Sequence, residues 1–191
     1  MHMTPQVSLV PPDGVLLEVR GSLGLFQGLD GLLARLRQGL KQLGYRAQYA
    51  VAPTPLAATL LARGTSRSVV QDEHELGRHL GGLPLAVLRL APAEEDALES
   101  IGVRTLGECR RLSRADLARR LSPALLDTFD RLYGQTRDPR VAMVAPESFE
   151  AGVELPWEVR NAQALVTAGE RLLLQLQGYL RARTAMTRRL R

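Results

Sequence analysis

The stretch Pro12-Asp13-Gly14-Val15-Leu16-Leu17-Glu18-Val19-Arg20-Gly21-Ser22 constrains the fold most, because the residues after it read as the continuation of one unit that it opens. Val15, Leu17 and Val19 alternate with Leu16, Glu18 and Arg20, which predicts a half-buried strand. Leu29, Leu32, Leu33, Leu36, Leu40 and Leu43 then form an apolar stripe of helical period, closed by Gly44. Tyr45 to Ala52 alternates again, with Arg46 and Gln48 outward, so strand, helix and strand make one α/β unit. Thr54 as a cap and Pro55 at the first helical position start a further helix that runs to Arg63. Asp13 sits at the mouth of the first strand, on an Asp-Gly pair of the kind that forms tight turns.

Ser68 to Val70 reads as a short strand, followed by a polar helix that contains His74, Glu75 and His79. Two metal ligands on one helix face need a separation of four; a separation of five places them about 140° apart, which argues against a zinc-protease reading. From Leu83 the composition changes to short helices with strong start signals. Thr105 to Glu108 is a capping box, Ser113 to Asp116 is a second start, and Ser122-Pro123 opens a helix that reaches Gly134. Cys109 falls on one of these helices and reads as a small core residue. Thr136 to Pro146 carries two prolines and no periodicity, the mark of a linker. Beyond it, Phe149, Ala151, Val153 and Leu155 alternate as a strand. A helix from about Glu158 to Arg183 carries Leu165, Ala168, Leu172, Leu173, Leu176 and Leu180 on one side, and Thr184 to Arg191 begins another strand. No internal repeat is visible.

With 191 residues and 45% hydrophobic content the chain is long enough for one large or two small globular domains. No apolar run approaches a membrane span, the start lacks a secretory pattern, and Cys109 is the single cysteine, so a cytoplasmic chain is expected. The net charge is +5, and of the 25 basic residues all but Lys41 are arginine, a planar fork suited to phosphate. From Trp157 to Arg191 seven arginines face only Glu158 and Glu170. Either a solvated helical face or a phosphate-binding surface accounts for that local excess.

The run from Asp13 to Ser22 resembles the palm strand of the Y-family translesion DNA polymerases, where the corresponding residues are Ser-Ile-Asp-Glu-Ala-Phe-Leu-Asp-Val-Thr. In that register Asp13 matches the Asp of the catalytic Asp-Glu pair and Gly14 stands in place of the Glu. Y-family palms continue into Gly-Ile-Gly-x-Asn-Lys-x-Leu-Ala-Lys-x-Ala-Ser. Here Thr54 replaces the Asn, and Pro55 and Thr59 replace the two lysines. Gly64-Thr65-Ser66-Arg67-Ser68 takes the place of the next block, with Arg67 a candidate phosphate contact. Glu99 to Glu108 is similar to the second half of the helix-hairpin-helix of the family's thumb, with Ala91-Pro92-Ala93 where the hairpin carries Gly-Ile-Gly. Proline has no N–H for a DNA phosphate. The Asp-Gly and Thr-Pro changes point to the ImuB-like branch, polymerase-shaped mutagenesis factors of bacterial damage tolerance.

The resemblance implies an α+β fold made of a partial palm with a βαβ portion over residues 1–82, a helical thumb over 83–136, a linker over 137–147 and the start of an α/β little finger over 148–191. It implies a non-catalytic factor of DNA repair and translesion synthesis, with Asp13 vestigial, no metal and no other cofactor. DNA would be held by Arg181, Arg183, Arg188, Arg189 and Arg191, without sequence preference and with no membrane role. A replicative-type mutagenic polymerase, an accessory mutagenesis protein and the sliding clamp would be its protein partners. The alternative is a fragment of an active polymerase using magnesium, which needs a further acid from outside this chain and Glu18 turned inward. A helical interaction module without a DNA role is a third reading. Because few residues remain to cover the long helix, the C-terminal region is expected to move relative to residues 7–135, and limited proteolysis is expected to cut first between Arg137 and Pro146.

Overall fold

The computed structural model describes residues 3–65, 67–120, 122–144, 148–154, 162–183 and 187. Its elements in chain order are β1 (Val7–Val10), β2 (Gly14–Leu17), α1 (Leu29–Gln42), β3 (Ala50–Val51), α2 (Pro55–Gly64), β4 (Ser68–Val69), α3 (Leu76–Gly81), α4 (Pro92–Glu99), α5 (Leu106–Arg111), α6 (Arg114–Arg120), α7 (Pro123–Leu132) and α8 (Ala162–Arg183). The architecture is α+β, with two small sheets of two strands each. Among the described residues no helix is long and apolar enough to cross a membrane.

The chain divides into two compact units. One comprises Met1–Val7, Leu17–Ala47 and Ala142–Arg191, the other Ser8–Leu16 and Gln48–Val141. The second holds a continuous core built on α2. Thr54 caps this helix by accepting the Ala57 N–H at 3.2 Å, and Pro55 fills its first position. Ala57, Leu60 and Leu61 are buried on α2 and share one core with Leu76 and Leu80 of α3, Leu98 of α4, Leu106 and Cys109 of α5, and Leu125, Phe129 and Leu132 of α7. Each fully buried leucine contributes roughly 1.5–3 kcal/mol. β3 and β4 run parallel, Ala50 opposite Ser68 and Val51 opposite Val69, with α2 as their crossover.

The short helices start where local chemistry places them. Thr105 and Glu108 close a capping box at α5, the Glu108 carboxylate accepting the N–H groups of Arg104 at 2.8 Å and Thr105 at 3.0 Å. These bonds hold the Glu108 carboxyl below its ordinary range. Ser113 starts α6 by accepting the Asp116 N–H at 3.1 Å, and Ser122 starts α7 by accepting the Leu125 N–H at 3.3 Å. Cys109 is a core residue, its thiol pushed up to about 11 by burial.

The strand expectations are corrected, and the one from Tyr45 to Ala52 shrinks to Ala50–Val51. The strand from Val15 to Arg20 stops at Leu17, because the Glu18 carboxylate accepts the Arg20 N–H at 3.0 Å and the chain turns into a 3-10 helix, Arg20–Phe26. β2 pairs with β1 and β3 with β4, so the βαβ arrangement is formed by β3, α2 and β4 rather than by the strands flanking α1. Residues 149–154 form no strand; the Phe149 ring instead meets Tyr179 of α8 at 5.4 Å. The expected strand from Thr184 to Arg191 lies outside the described residues save for Thr187, which is in no strand.

In the first unit Phe26, Leu32 and Leu33 are buried between the 3-10 helix and α1. The stripe on α8 is only partly covered: Leu165 is 51% and Leu173 54% exposed. Arg171 of α8 lies over the Tyr45 ring at 5.2 Å, and the Met143 N–H donates to the Val7 carbonyl at 2.6 Å.

Arg114 binds Asp130 of α7 through two parallel hydrogen bonds of 2.8 and 2.7 Å. The Arg114 fork holds the Asp130 carboxyl below its ordinary value. A lowered carboxyl pKa favours the folded state above the unfolded value of about 3.9 and loses that effect as the pH falls through the folded one. Arg114→Gln is therefore expected to lower the urea midpoint at neutral pH, and the gap from wild type should close on acidification below about 3.9.

Candidate functional site

Asp13 lies in the turn between β1 and β2, with Arg89 as its ion partner at 3.6 Å. The two side chains are 70% and 47% exposed, so solvent screens the pair strongly. Arg89 ends a 3-10 helix, Leu85–Leu88, in the left-handed conformation at φ 54°. Beside it, Arg63 at the end of α2 donates from Nη1 to the Val87 carbonyl at 3.2 Å. Burial, followed by repulsion from Arg89, lowers the Arg63 pKa, and the charge of Asp13 opposes the shift. Asp13 thus faces arginines.

Gly14 packs against the neighbouring strand: a Cβ there would lie 3.0 Å from both the Val10 Cβ and the Val10 carbonyl oxygen. A glutamate at this position would need the hairpin to shift. Divalent magnesium is held by carboxylates and phosphates, and Asp13 with its arginine partner does not fit that donor set. No group of three or more His, Cys, Asp or Glu side chains among the described residues could hold a metal ion. His79 Nε2 accepts a 3.3 Å hydrogen bond from Arg78, on a helix that starts after His74.

Thr54 and Thr59, which the sequence resemblance sets against triphosphate-binding residues, make bonds internal to the fold. Thr54, besides capping α2, donates its hydroxyl to the Leu132 carbonyl at 3.0 Å, and Thr59 donates to Pro55 at 2.9 Å. Arg67 is exposed at φ 60° in the bend before β4. Arg181 is exposed near the end of α8 and Arg183 is that helix's last residue; Arg188, Arg189 and Arg191 lie outside the described residues. Ala91 and Pro92 begin α4.

A second basic cluster was missed by sequence reasoning. Helices α3 and α5 approach backbone to backbone at Gly81 and Gly107, where a Cβ on Gly107 would lie 2.7 Å from the Gly81 carbonyl oxygen. An open concavity of about 510 Å³ lies there, edged by Arg78, Arg110 and Arg111. The Arg110 guanidinium lies 4.4 Å from the centroid of the Tyr133 ring, and one of its nitrogens occupies the space that a Cβ on Gly77 would need, at 2.1 Å. The glycine pair at 77 and 81, one turn apart on α3, was the legible signal.

No family model matches this chain. Protein ImuB from each of two strains of Caulobacter vibrioides is 31% identical to it over 134 residues, 70% of this chain and 29% of the relative. Over those residues the chain is ImuB-like. It spans less than a third of the length of these ImuB relatives.

Gly107→Ala should drive α5 against the α3 backbone and lower the unfolding free energy by about 1–3 kcal/mol in urea denaturation. Gly82→Ala, with open space about it, is expected to leave stability unchanged or raise it by up to about 1 kcal/mol.

Proposed function

We propose that this chain is the polymerase-shaped, non-catalytic part of a bacterial DNA-damage mutagenesis factor of the ImuB-like branch of the Y family. In this reading it grips DNA through backbone phosphates without regard to sequence and serves as an assembly hub. Its partners are a replicative-type mutagenic polymerase, an accessory mutagenesis protein and the sliding clamp. The observation that carries the reading is the environment of Asp13. An acid aligned with a catalytic carboxylate has Arg89 at 3.6 Å, while its neighbour Gly14 is crowded against Val10 where the second carboxylate would project. Two-metal phosphoryl transfer requires several carboxylates around a pair of divalent ions, and an arginine in that position opposes their binding by charge.

Similarity to Protein ImuB over 70% of the chain supports the branch, and the arginine excess supports a polyanionic ligand. Arg181 and Arg183, with Arg188, Arg189 and Arg191 farther along the chain, are the proposed backbone contacts of the C-terminal region. Phosphate contacts fix position without reading bases, so affinity should depend on salt rather than sequence.

Primer extension by the full-length protein that carries this chain, with magnesium or manganese, is expected to show no template-directed incorporation. Robust incorporation abolished by Asp13→Ala would overturn the proposal in favour of an active polymerase.

A further inference from the structure

Of the arginines that edge the α3–α5 concavity, only Arg78 has a side-chain hydrogen bond or ion pair with a described residue. Arg78 is paired with Glu75 at 3.1 Å, an exposed contact within its own segment. Arg110 and Arg111 make no hydrogen bond or ion pair with any described residue. The acid nearest to them in sequence, Glu108, accepts the N–H groups of Arg104 and Thr105 and is left with only a weaker electrostatic attraction to Arg111. Three exposed guanidinium groups thus share one directly paired carboxylate, and the local charge is positive.

Arg110 is also held in place. Its guanidinium carbon lies over the Tyr133 ring and one of its nitrogens fits the space left by the missing side chain of Gly77, so the fork is held in place without spending its N–H groups. A guanidinium positioned by stacking loses little freedom when it binds, and its parallel donors match two oxygens of a phosphate. The concavity is open, and the space about Gly82 on its edge is empty.

We propose that the concavity edged by Arg78, Arg110 and Arg111 binds a phosphodiester phosphate of a nucleic-acid backbone. This inference rests on the DNA-binding reading above and adds a site on the second compact unit, separate from α8 and from the start of α4. Arg110 is the anchor, and Arg78 and Arg111 flank it.

The test is fluorescence anisotropy with a short labelled DNA duplex of arbitrary sequence, titrated over a range of salt with the full-length protein. R78Q/R110Q/R111Q is expected to bind at least about tenfold more weakly, with a log-affinity against log-salt slope shallower by about 2 to 3. Arg110→Lys keeps the charge but loses the stacked fork, and is expected to weaken binding nearly as much as Arg110→Gln. Arg111→Gln alone, at an exposed residue whose side chain makes no hydrogen bond or ion pair with a described residue, should retain the wild-type melting temperature and still weaken binding about threefold or more. R35Q/R37Q on α1 serves as the charge control and is expected to change affinity by less than about twofold. Duplex binding with unchanged affinity and slope in the triple variant would overturn this inference and leave the DNA-binding reading intact. Absence of duplex binding by the wild-type protein would overturn both, and calorimetric binding of ATP in that case would reassign the concavity to a free nucleotide.

Discussion

Burial of α2 is the constraint on which the second compact unit depends. Ala57, Leu60 and Leu61 are almost wholly withdrawn from solvent, and β3, α3, α7 and the Leu85–Leu88 turn all pack against this helix. Helices α3 and α5 are six residues long, far too short to persist in water alone. Their existence, and with it the placement of Arg78, Arg110 and Arg111, follows from Leu76, Leu80, Leu106 and Cys109 entering the core around α2. Surface chemistry here is positioned by buried leucines several residues away.

Arginine does two kinds of work in this unit. Arg63 is partly buried, gives a donor to the Val87 carbonyl and feels Arg89 beside it, with Asp13 offsetting some of the charge. Such a guanidinium holds the end of α2 to the Leu85–Leu88 turn. Arg110 lies over an aromatic ring with its donors unspent. Composition alone could not separate these roles, because both depend on which backbone carbonyl or ring lies within a few ångströms.

What could be read from the sequence was what is decided locally. Thr54, Thr105, Ser113 and Ser122 were recognisable as helix starts because a cap is chosen within three residues of the chain. The leucine stripe of α1 was legible for the same reason. Strands fared worse, since a ladder needs a partner that alternation does not name: Val19 has the right pattern, yet the bond from the Arg20 N–H to Glu18 turns the chain away. Asp13 was legible as a turn residue through its Gly14 neighbour, but its pairing with Arg89 is a tertiary event. The concavity was hidden for a further reason. Gly81 and Gly107 belong to helices far apart in sequence, and neither glycine alone announces a close approach.

The Thr54 hydroxyl joins the start of α2 to the end of α7, across 78 residues of chain, in addition to capping its own helix. As the polypeptide leaves the ribosome, the local half of this arrangement is complete as soon as Ala57 has been made. The other half waits for Leu132, the last residue of α7, which also brings the final buried leucine of the core. A nascent chain that ends before this point has the cap of α2 but cannot close the apolar surface around it. The core of the second unit therefore closes only once nearly all of that unit has been made.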